Sequence, residues 1–328
     1  MERPRFGVIG CGSIGKRHTR NLLALGEKAV VAFDPTPERR AEAEALGVTA
    51  VATMDELLDR GPHAVVVASP TRMHVEHALA AAERGCHLFV EKPVAEVEDA
   101  DLARLIAIVR EKKLVSLVGC NLRFHPGLQR VKALLDEKRI GTIVSARVQF
   151  GYWLPDWRPH DDYRKGYSAR KDLGGGIILD AIHELDYIRW LMRGEGEVTK
   201  VLAMSGQLSS LEVDTEDMAA ILLRFASGAI GEVHLDYVQR VYTRNCWIVG
   251  DQGTLAWDYP SPEVRHYDAA KKAWETTASV TSWEPNEMYV DELRHFLACL
   301  EGKATSQQSI EDGAKVLGLA IASKKEHV

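Results

Sequence analysis

Up to about residue 120 the chain alternates short apolar, β-branched runs with longer stretches in which apolar positions recur at helical spacing. The short runs predict strands over Arg5 to Ile9, Ala29 to Phe33, Ala64 to Ala68, His87 to Val90 and Val115 to Val118. Helices are predicted between them over Gly15 to Leu25, Pro37 to Leu46, Met54 to Asp59, Met73 to Arg84 and Val97 to Lys112. Strands without a polar face, separated by helices, are the pattern of βαβ units around a parallel sheet buried on both sides.

Past Phe124 the period changes. One helix, Pro126 to Glu137, precedes long segments of alternating polarity over Ile143 to Gly151, Thr199 to Ser209, Asp217 to Phe225 and Ala229 to Tyr237. Alternation buries one face only, so these read as strands of a large, mostly antiparallel or mixed sheet. A helix over Ile178 to Met192 interrupts them, and helices over Tyr289 to Leu300 and Ile310 to Glu326 close the sequence. The expected division is a domain of residues 1–122 and a second of residues 123–328, with the last helix free to pack back on the first domain. The stretch Trp153 to Gly176 has no periodicity and is too long for a simple connection, which marks it as functional.

Composition changes this picture little. At 328 residues, 46% hydrophobic and 27% charged, the chain is sized for two packed domains. A net charge of −6 offers no general attraction for nucleic acid or anionic membranes. No apolar run approaches the roughly 20 residues of a membrane span, and no signal-peptide core follows Met1, so a cytoplasmic protein is expected. The five cysteines, Cys11, Cys86, Cys120, Cys246 and Cys299, are scattered and form no CxxC pair, so buried reduced thiols and no metal site are expected.

The chemistry begins at Gly10-Cys11-Gly12-Ser13-Ile14-Gly15, which follows the first strand directly and opens a helix. In that context the first glycine permits a tight turn, the second lets backbone approach a pyrophosphate, and the third lets the helix pack on the strand. Gly10, Gly12, Ser13, Ile14 and Gly15 thus form a candidate phosphate cradle on a helix N-terminus. Asp34 ends the second strand, where a carboxylate accepts hydrogen bonds from the adenosine ribose of a dinucleotide. The same charge repels a 2′-phosphate and favours NAD, while Arg39 and Arg40 just downstream leave NADP open.

Glu91-Lys92-Pro93 follows the fourth of these strands at the edge where open α/β sheets place their ligands. The proline restricts the backbone of Lys92, and the bond between them is able to be cis, so the lysine side chain is held in one direction. The plain alternative is a surface lysine in a turn.

With the glycine turn, Ser69-Pro70-Thr71, His74 and this Glu-Lys-Pro, the chain resembles the Gfo/Idh/MocA oxidoreductases, whose members include inositol dehydrogenases and glucose-fructose oxidoreductase. The likeness runs through nearly the whole chain, with Gly174-Gly175-Gly176 leading to Asp180, His183 and Asp186, and with Ile310-Glu311-Asp312-Gly313 near the end. It implies an N-terminal Rossmann domain, doubly wound on a parallel sheet, and a C-terminal α/β domain with a large, mostly antiparallel open sheet. It implies further that Ser69, Pro70, Thr71 and His74 border the dinucleotide, that Glu91 and Lys92 lie at its nicotinamide end, and that Asn121 approaches the cofactor. Arg123 sits where the family chain passes between domains, to touch substrate or to pair structurally.

Oxidising an alcohol requires a base for the hydroxyl proton while hydride leaves the carbon. His183, of a residue type that titrates near pH 6.5, and Lys92, whose proton affinity falls beside a cationic ring or on desolvation, both qualify. His183 is read as acid/base, with Lys92 polarising the substrate oxygen. In many inositol dehydrogenase relatives an aspartate precedes the histidine by four residues; here Leu179 holds that place and Asp180 lies three before His183. On one helix either spacing shares a face, so Asp180 or Asp186 is able to orient the imidazole.

The loop before this motif offers Trp153, Trp157, Arg158, Tyr163, Tyr167, Arg170 and Lys171, a mixture suited to a polyhydroxylated ligand or to a packing interface. Its Tyr167 to Lys171 segment is similar to family members associated with nucleotide sugars. The expected activity is NAD-dependent oxidation of a secondary alcohol of a sugar, cyclitol or sugar nucleotide. A tightly bound NADP enzyme, a redox-neutral sugar enzyme and a non-catalytic nicotinamide sensor are the alternatives, and the presence of Lys92 and His183 speaks against the sensor. An exposed sheet face needs cover, so a homodimer or homotetramer is expected.

Overall fold

The computed structural model describes residues 6–259, 261–278 and 280–324. Arg5 of the first expected strand and Glu326 of the last expected helix lie outside the described residues. The chain divides into two compact units, Met1–Asn121 with Pro285–Leu317, and Leu122–Glu284 with Gly318–Val328.

The first unit runs β1 (Phe6–Ile9), α1 (Ser13–Ala24), β2 (Val30–Phe33), α2 (Pro37–Glu44), β3 (Thr49–Val51), α3 (Met54–Asp59), β4 (Ala64–Val67), α4 (His74–Glu83), β5 (His87–Glu91), α5 (Ala100–Glu111) and β6 (Ser116–Gly119). Its six strands are parallel in the order β3-β2-β1-β4-β5-β6. That is the expected doubly wound sheet, and the order reverses between β1 and β4, where such sheets open a crevice for ligands. All four residues of β1 and of β4 are buried, as a strand covered on both faces requires. β3 is the strand that periodicity did not reveal, because Thr-Ala-Val is too short to carry a period.

The second unit begins with α6 (Pro126–Asp136) and continues through β7 (Ile143–Gly151), α7 (Ile177–Asp180), α8 (Ile182–Leu191), β8 (Val198–Gly206), β9 (Met218–Phe225), β10 (Ile230–Asp236), β11 (Thr243–Gly250), β12 (Gly253–Asp258), β13 (Glu263–Asp268) and β14 (Ala273–Ala278). Its eight strands lie in the order β14-β13-β12-β11-β7-β10-β9-β8, and β7 with β10 is the parallel pair in an otherwise antiparallel sheet. β9 shows the alternation clearly, with Ala219, Ile221, Leu223 and Phe225 buried and the residues between them exposed. Strands β11 to β14 were not distinguished by pattern. β14 is exposed almost throughout, as an edge strand that needs no apolar face.

The continuous helix expected over Ile178 to Met192 is instead two helices. Ala181, at φ −96° and ψ 33°, leaves helical geometry between α7 and α8. Alanine is the best helix former, so its own preference does not cause the break; the ties on neighbouring Asp180 described below do.

The chain ends in α9 (Pro285–Leu300) and α10 (Ile310–Ser323). α9 belongs to the first unit, where Phe296 packs edge-on against Phe6 and Phe89 and Asn286 hydrogen-bonds Asn21 of α1 at 3.0 Å. Among the described residues no helix is long and apolar enough to cross a membrane. All five cysteines are free and buried.

In the second unit His125 caps α6, its Nδ1 accepting the Gly127 N–H at 3.0 Å, inside a box formed by the rings of Trp257, Tyr259 and Trp283. Burial, and secondarily the charge of Arg244, push its pKa down to about 3. The unfolded chain, with histidine near 6.5, therefore binds a proton that the folded one refuses between those two values, and stability falls as pH falls through that window. From neutral pH down to pH 5, His125 should cost about 2 kcal/mol of stability. Urea unfolding at pH 7 and pH 5 should show His125→Asn, which keeps a capping acceptor, losing that much less than the parent; equal losses would refute the assignment.

Candidate active site

In the first unit the cradle is built by contact. Gly10 sits in the left-handed region at φ +94°, and a Cβ there would lie 2.7 Å from the Ala68 carbonyl oxygen. A Cβ on Gly15 would collide with the Gly10 carbonyl oxygen, so α1 reaches the end of β1 only because residue 15 is glycine. At Gly12, the N-cap of α1, an added Cβ would meet nothing within 4 Å, and no side chain caps the helix. Uncapped amides facing open space fit a bound pyrophosphate.

Asp34 follows β2 and is buried, its carboxylate accepting the Cys11 N–H at 2.8 Å and the Thr36 N–H at 2.9 Å. It pins the glycine turn to the end of β2, a structural duty that spacing alone did not disclose. Each oxygen keeps a further lone pair for a ribose hydroxyl. Arg39 reaches to 3.8 Å from the carboxylate, and Arg40 donates to the carbonyl oxygens of Asp34 and Pro35.

Ser69, Pro70 and Thr71 follow β4. The Ser69 hydroxyl lies 2.9 Å from His77 Nδ1. His74 is buried, with Nδ1 2.8 Å from the Pro93 carbonyl oxygen and Nε2 2.9 Å from that of Ser69. It is a strut joining this loop to the Glu-Lys-Pro turn, and burial holds its pKa below the usual value despite those carbonyls. The Lys92-Pro93 bond is cis, and Lys92 is partly exposed. Asn121, after β6, is buried.

Glu91 carries a contact that sequence reasoning missed. Its Oε1 lies 2.6 Å from Nε2 of His18, a fully buried residue of α1, and its Oε2 accepts the Lys92 N–H at 3.2 Å. The rings of Phe89 and Tyr289 stand edge-on to the imidazole. Burial alone would raise the Glu91 pKa, but the hydrogen bond from His18 and the charge of Lys92 bring it below the usual carboxylate value. One signal was available: His18 lies three residues past Gly15, on the same face of α1.

In the second unit the loop over residues 152–176 is organised by short 3-10 turns at Leu154–Asp156, Tyr163–Lys165, Tyr167–Ala169 and Lys171–Leu173. Trp157 packs edge-on to Phe150 and Tyr237 and donates its indole N–H to the Tyr152 carbonyl. The Tyr163 hydroxyl accepts the Glu212 N–H, Arg170 pairs with Asp172, and Arg158 is exposed.

Asp180, buried at the end of α7, accepts hydrogen bonds from the hydroxyls of Tyr167, Ser168 and Tyr237, the latter two at 2.6 and 2.9 Å. Gly176, at φ +109°, opens α7 beside the Glu216 carboxylate. His183 follows in the first turn of α8, partly exposed where Ile182, Glu184, Leu185 and Asp186 are all buried. Glu184 takes Arg244 at 2.8 Å. Asp186 takes Arg123 in a two-pronged pair at 2.8 and 2.6 Å, with side-chain exposures of 1% and 3%. Arg123 thus makes a buried structural pair.

Two family models cover most of the chain, one described as an oxidoreductase family, NAD-binding Rossmann fold, over residues 4–120, and one as a GFO/IDH/MocA C-terminal domain, over residues 128–256. The myo-inositol 2-dehydrogenase of Thermotoga maritima is 30% identical over 98% of this chain and 95% of its own length. The levoglucosan dehydrogenase of Pseudarthrobacter phenanthrenivorans is 30% identical over 79% of this chain and 74% of its own. The chain belongs to the Gfo/Idh/MocA oxidoreductase family. A solved structure of a levoglucosan dehydrogenase in complex with NADH superposes with a TM-score of 0.87 at 24% identity, covering 98% of this chain and 95% of that one. The first unit of this Gfo/Idh/MocA oxidoreductase is accordingly an NAD-binding Rossmann domain.

Two outcomes follow from the geometry. Gly15→Ala should weaken NADH binding, followed by fluorescence titration, by more than about tenfold, since the helix must retreat from the turn. Arg123→Met strands a buried carboxylate and should lower stability to urea by about 3 kcal/mol; a loss under about 1 kcal/mol would show the pair to be solvated.

Proposed function

We propose that this oxidoreductase oxidises a secondary alcohol of a sugar, cyclitol or sugar nucleotide with NAD. The observation that carries the reading is His183, a partly exposed imidazole among buried neighbours at the start of α8. The names of the relatives, a myo-inositol 2-dehydrogenase and a levoglucosan dehydrogenase, support a polyol or sugar as substrate.

The buried Asp34 carboxylate receives the adenosine ribose and disfavours a 2′-phosphate, while the N-terminus of α1 receives the pyrophosphate. With adenosine at β2, a dinucleotide laid across the point of strand reversal brings its nicotinamide to the β4 and β5 side, where Ser69, Thr71, Glu91 and Lys92 stand. Bound there, the nicotinamide ring supplies the hydride acceptor. His183 takes the hydroxyl proton, and the Lys92 ammonium hydrogen-bonds the substrate oxygen as negative charge grows on it. Asp180 is a positioning residue that fastens the Tyr167–Ser168 loop to the end of α7. Arg158 and the aromatic rim of Trp157, Tyr163 and Tyr167 are the side chains offered to a polyhydroxylated ligand.

NAD reduction, followed by absorbance across a panel of cyclitols, anhydrosugars and sugar nucleotides, tests the reading. His183→Ala should lower kcat about 10²- to 10⁴-fold on the active compound with little change in KM. Near-normal turnover of that variant would remove His183 from the chemistry. NADH binding without turnover of any compound would favour a sensor.

A further inference from the structure

The buried pair of His18 and Glu91 has a duty that the proposed proton chemistry does not use. His18 is wholly buried and offers Nε2 to Glu91, while its Nδ1 is buried and meets no partner among the described residues. A second proton on that ring would be a buried N–H with no acceptor, which is costly, so the geometry suits the neutral tautomer with its hydrogen on Nε2. A neutral donor satisfies the Glu91 carboxylate without cancelling its charge.

Aromatic rings stand around that buried charge. Phe89 and Tyr289 stand edge-on to His18, and the Cα of Gly119 leaves room for the carboxyl group, which a Cβ there would approach to 3.2 Å. The titratable groups facing Glu91 are His18, Lys92, His74 and Tyr289. Burial lowers the His74 pKa and raises that of Tyr289, which favours the neutral form of each. Lys92 brings a compensating positive charge on a partly exposed side chain, where solvent screens it more than it screens the buried carboxylate.

We propose that Glu91 is a charge-selective element of the cofactor pocket: an ionised carboxylate, hydrogen-bonded by a neutral His18, that favours the oxidised, cationic nicotinamide over the reduced, neutral one. The proposal rests on the reading that places the nicotinamide at the β4 and β5 side. A largely buried carboxylate acts at an effective dielectric constant near 20 rather than 80, so removing it should shift the balance between the two cofactor forms by about tenfold.

The test is binding, not turnover. Dissociation constants for NAD and NADH are measured by calorimetry on wild-type protein, Glu91→Gln and His18→Gln, with thermal unfolding to confirm that each variant is folded. Glutamine is isosteric, and its single carbonyl oxygen still accepts from His18, while its NH2 replaces the oxygen that accepted the Lys92 N–H. Glu91→Gln should raise the ratio Kd(NAD)/Kd(NADH) about tenfold. His18→Gln keeps a neutral donor beside the carboxylate and should leave that ratio within about twofold of wild type. An unchanged ratio in Glu91→Gln overturns the proposal. A ratio that falls severalfold in His18→Gln also overturns it, because the histidine would then have been a cation cancelling the charge. If the wild-type protein binds neither NAD nor NADH, it is the underlying placement of the cofactor that fails.

Discussion

The approach of α1 onto the end of β1, with the Cα of Gly15 against the carbonyl of Gly10, is the constraint on which the cofactor region depends. No side chain fits between them. The contact sets where the α1 N-terminus points, and the Asp34 carboxylate then fixes the turn from the far side by holding the Cys11 N–H. Because His18 lies one helical turn beyond Gly15, the same approach carries its imidazole to Glu91 at the end of β5. The glycine turn, its tie to Asp34 and the His18–Glu91 contact thus meet at one backbone approach.

Buried carboxylates organise both units, and they differ in what satisfies them. Asp186 and Glu184 are met by guanidinium groups, Arg123 from the turn before α6 and Arg244 from β11, which bring a full opposite charge to α8. Asp180 receives three hydroxyls, donors that stabilise the anion without adding a cation, and Asp34 receives two backbone amides with the Arg39 guanidinium at 3.8 Å. Removing an arginine partner strands a charge, whereas removing a hydroxyl weakens one of several bonds.

What the sequence disclosed was what local pattern encodes. Apolar runs between helices specify a covered parallel sheet, and Gly10 to Gly15 between strand and helix specify a nucleotide turn. What stayed hidden depended on residues far apart in the chain. Glu91 finds His18 across 73 positions and Tyr237 finds Asp180 across 57, separations that no periodicity records. β3 was too short and β14 too polar on both faces to show a strand signature. The run Ile177 to Leu191 is apolar enough all round that nothing local marked the break at Ala181.

That break bears on the shortened spacing between Asp180 and His183. On one straight helix, moving from four residues to three turns a side chain by about 100° and shifts it by about 1.5 Å. Here the two residues are not on one helix. Asp180 ends α7, where it accepts from Tyr167, Ser168 and Tyr237, and α8 restarts with a tighter turn in which the Glu184 N–H reaches the Ala181 carbonyl at 3.2 Å. The direction of His183 is therefore set by how α8 packs, through Glu184 on Arg244 and Asp186 on Arg123, rather than by helical phase from Asp180. Losing one residue between the two does not by itself misdirect the imidazole, because the fold has separated the carboxylate that anchors the loop from the helix that carries the histidine.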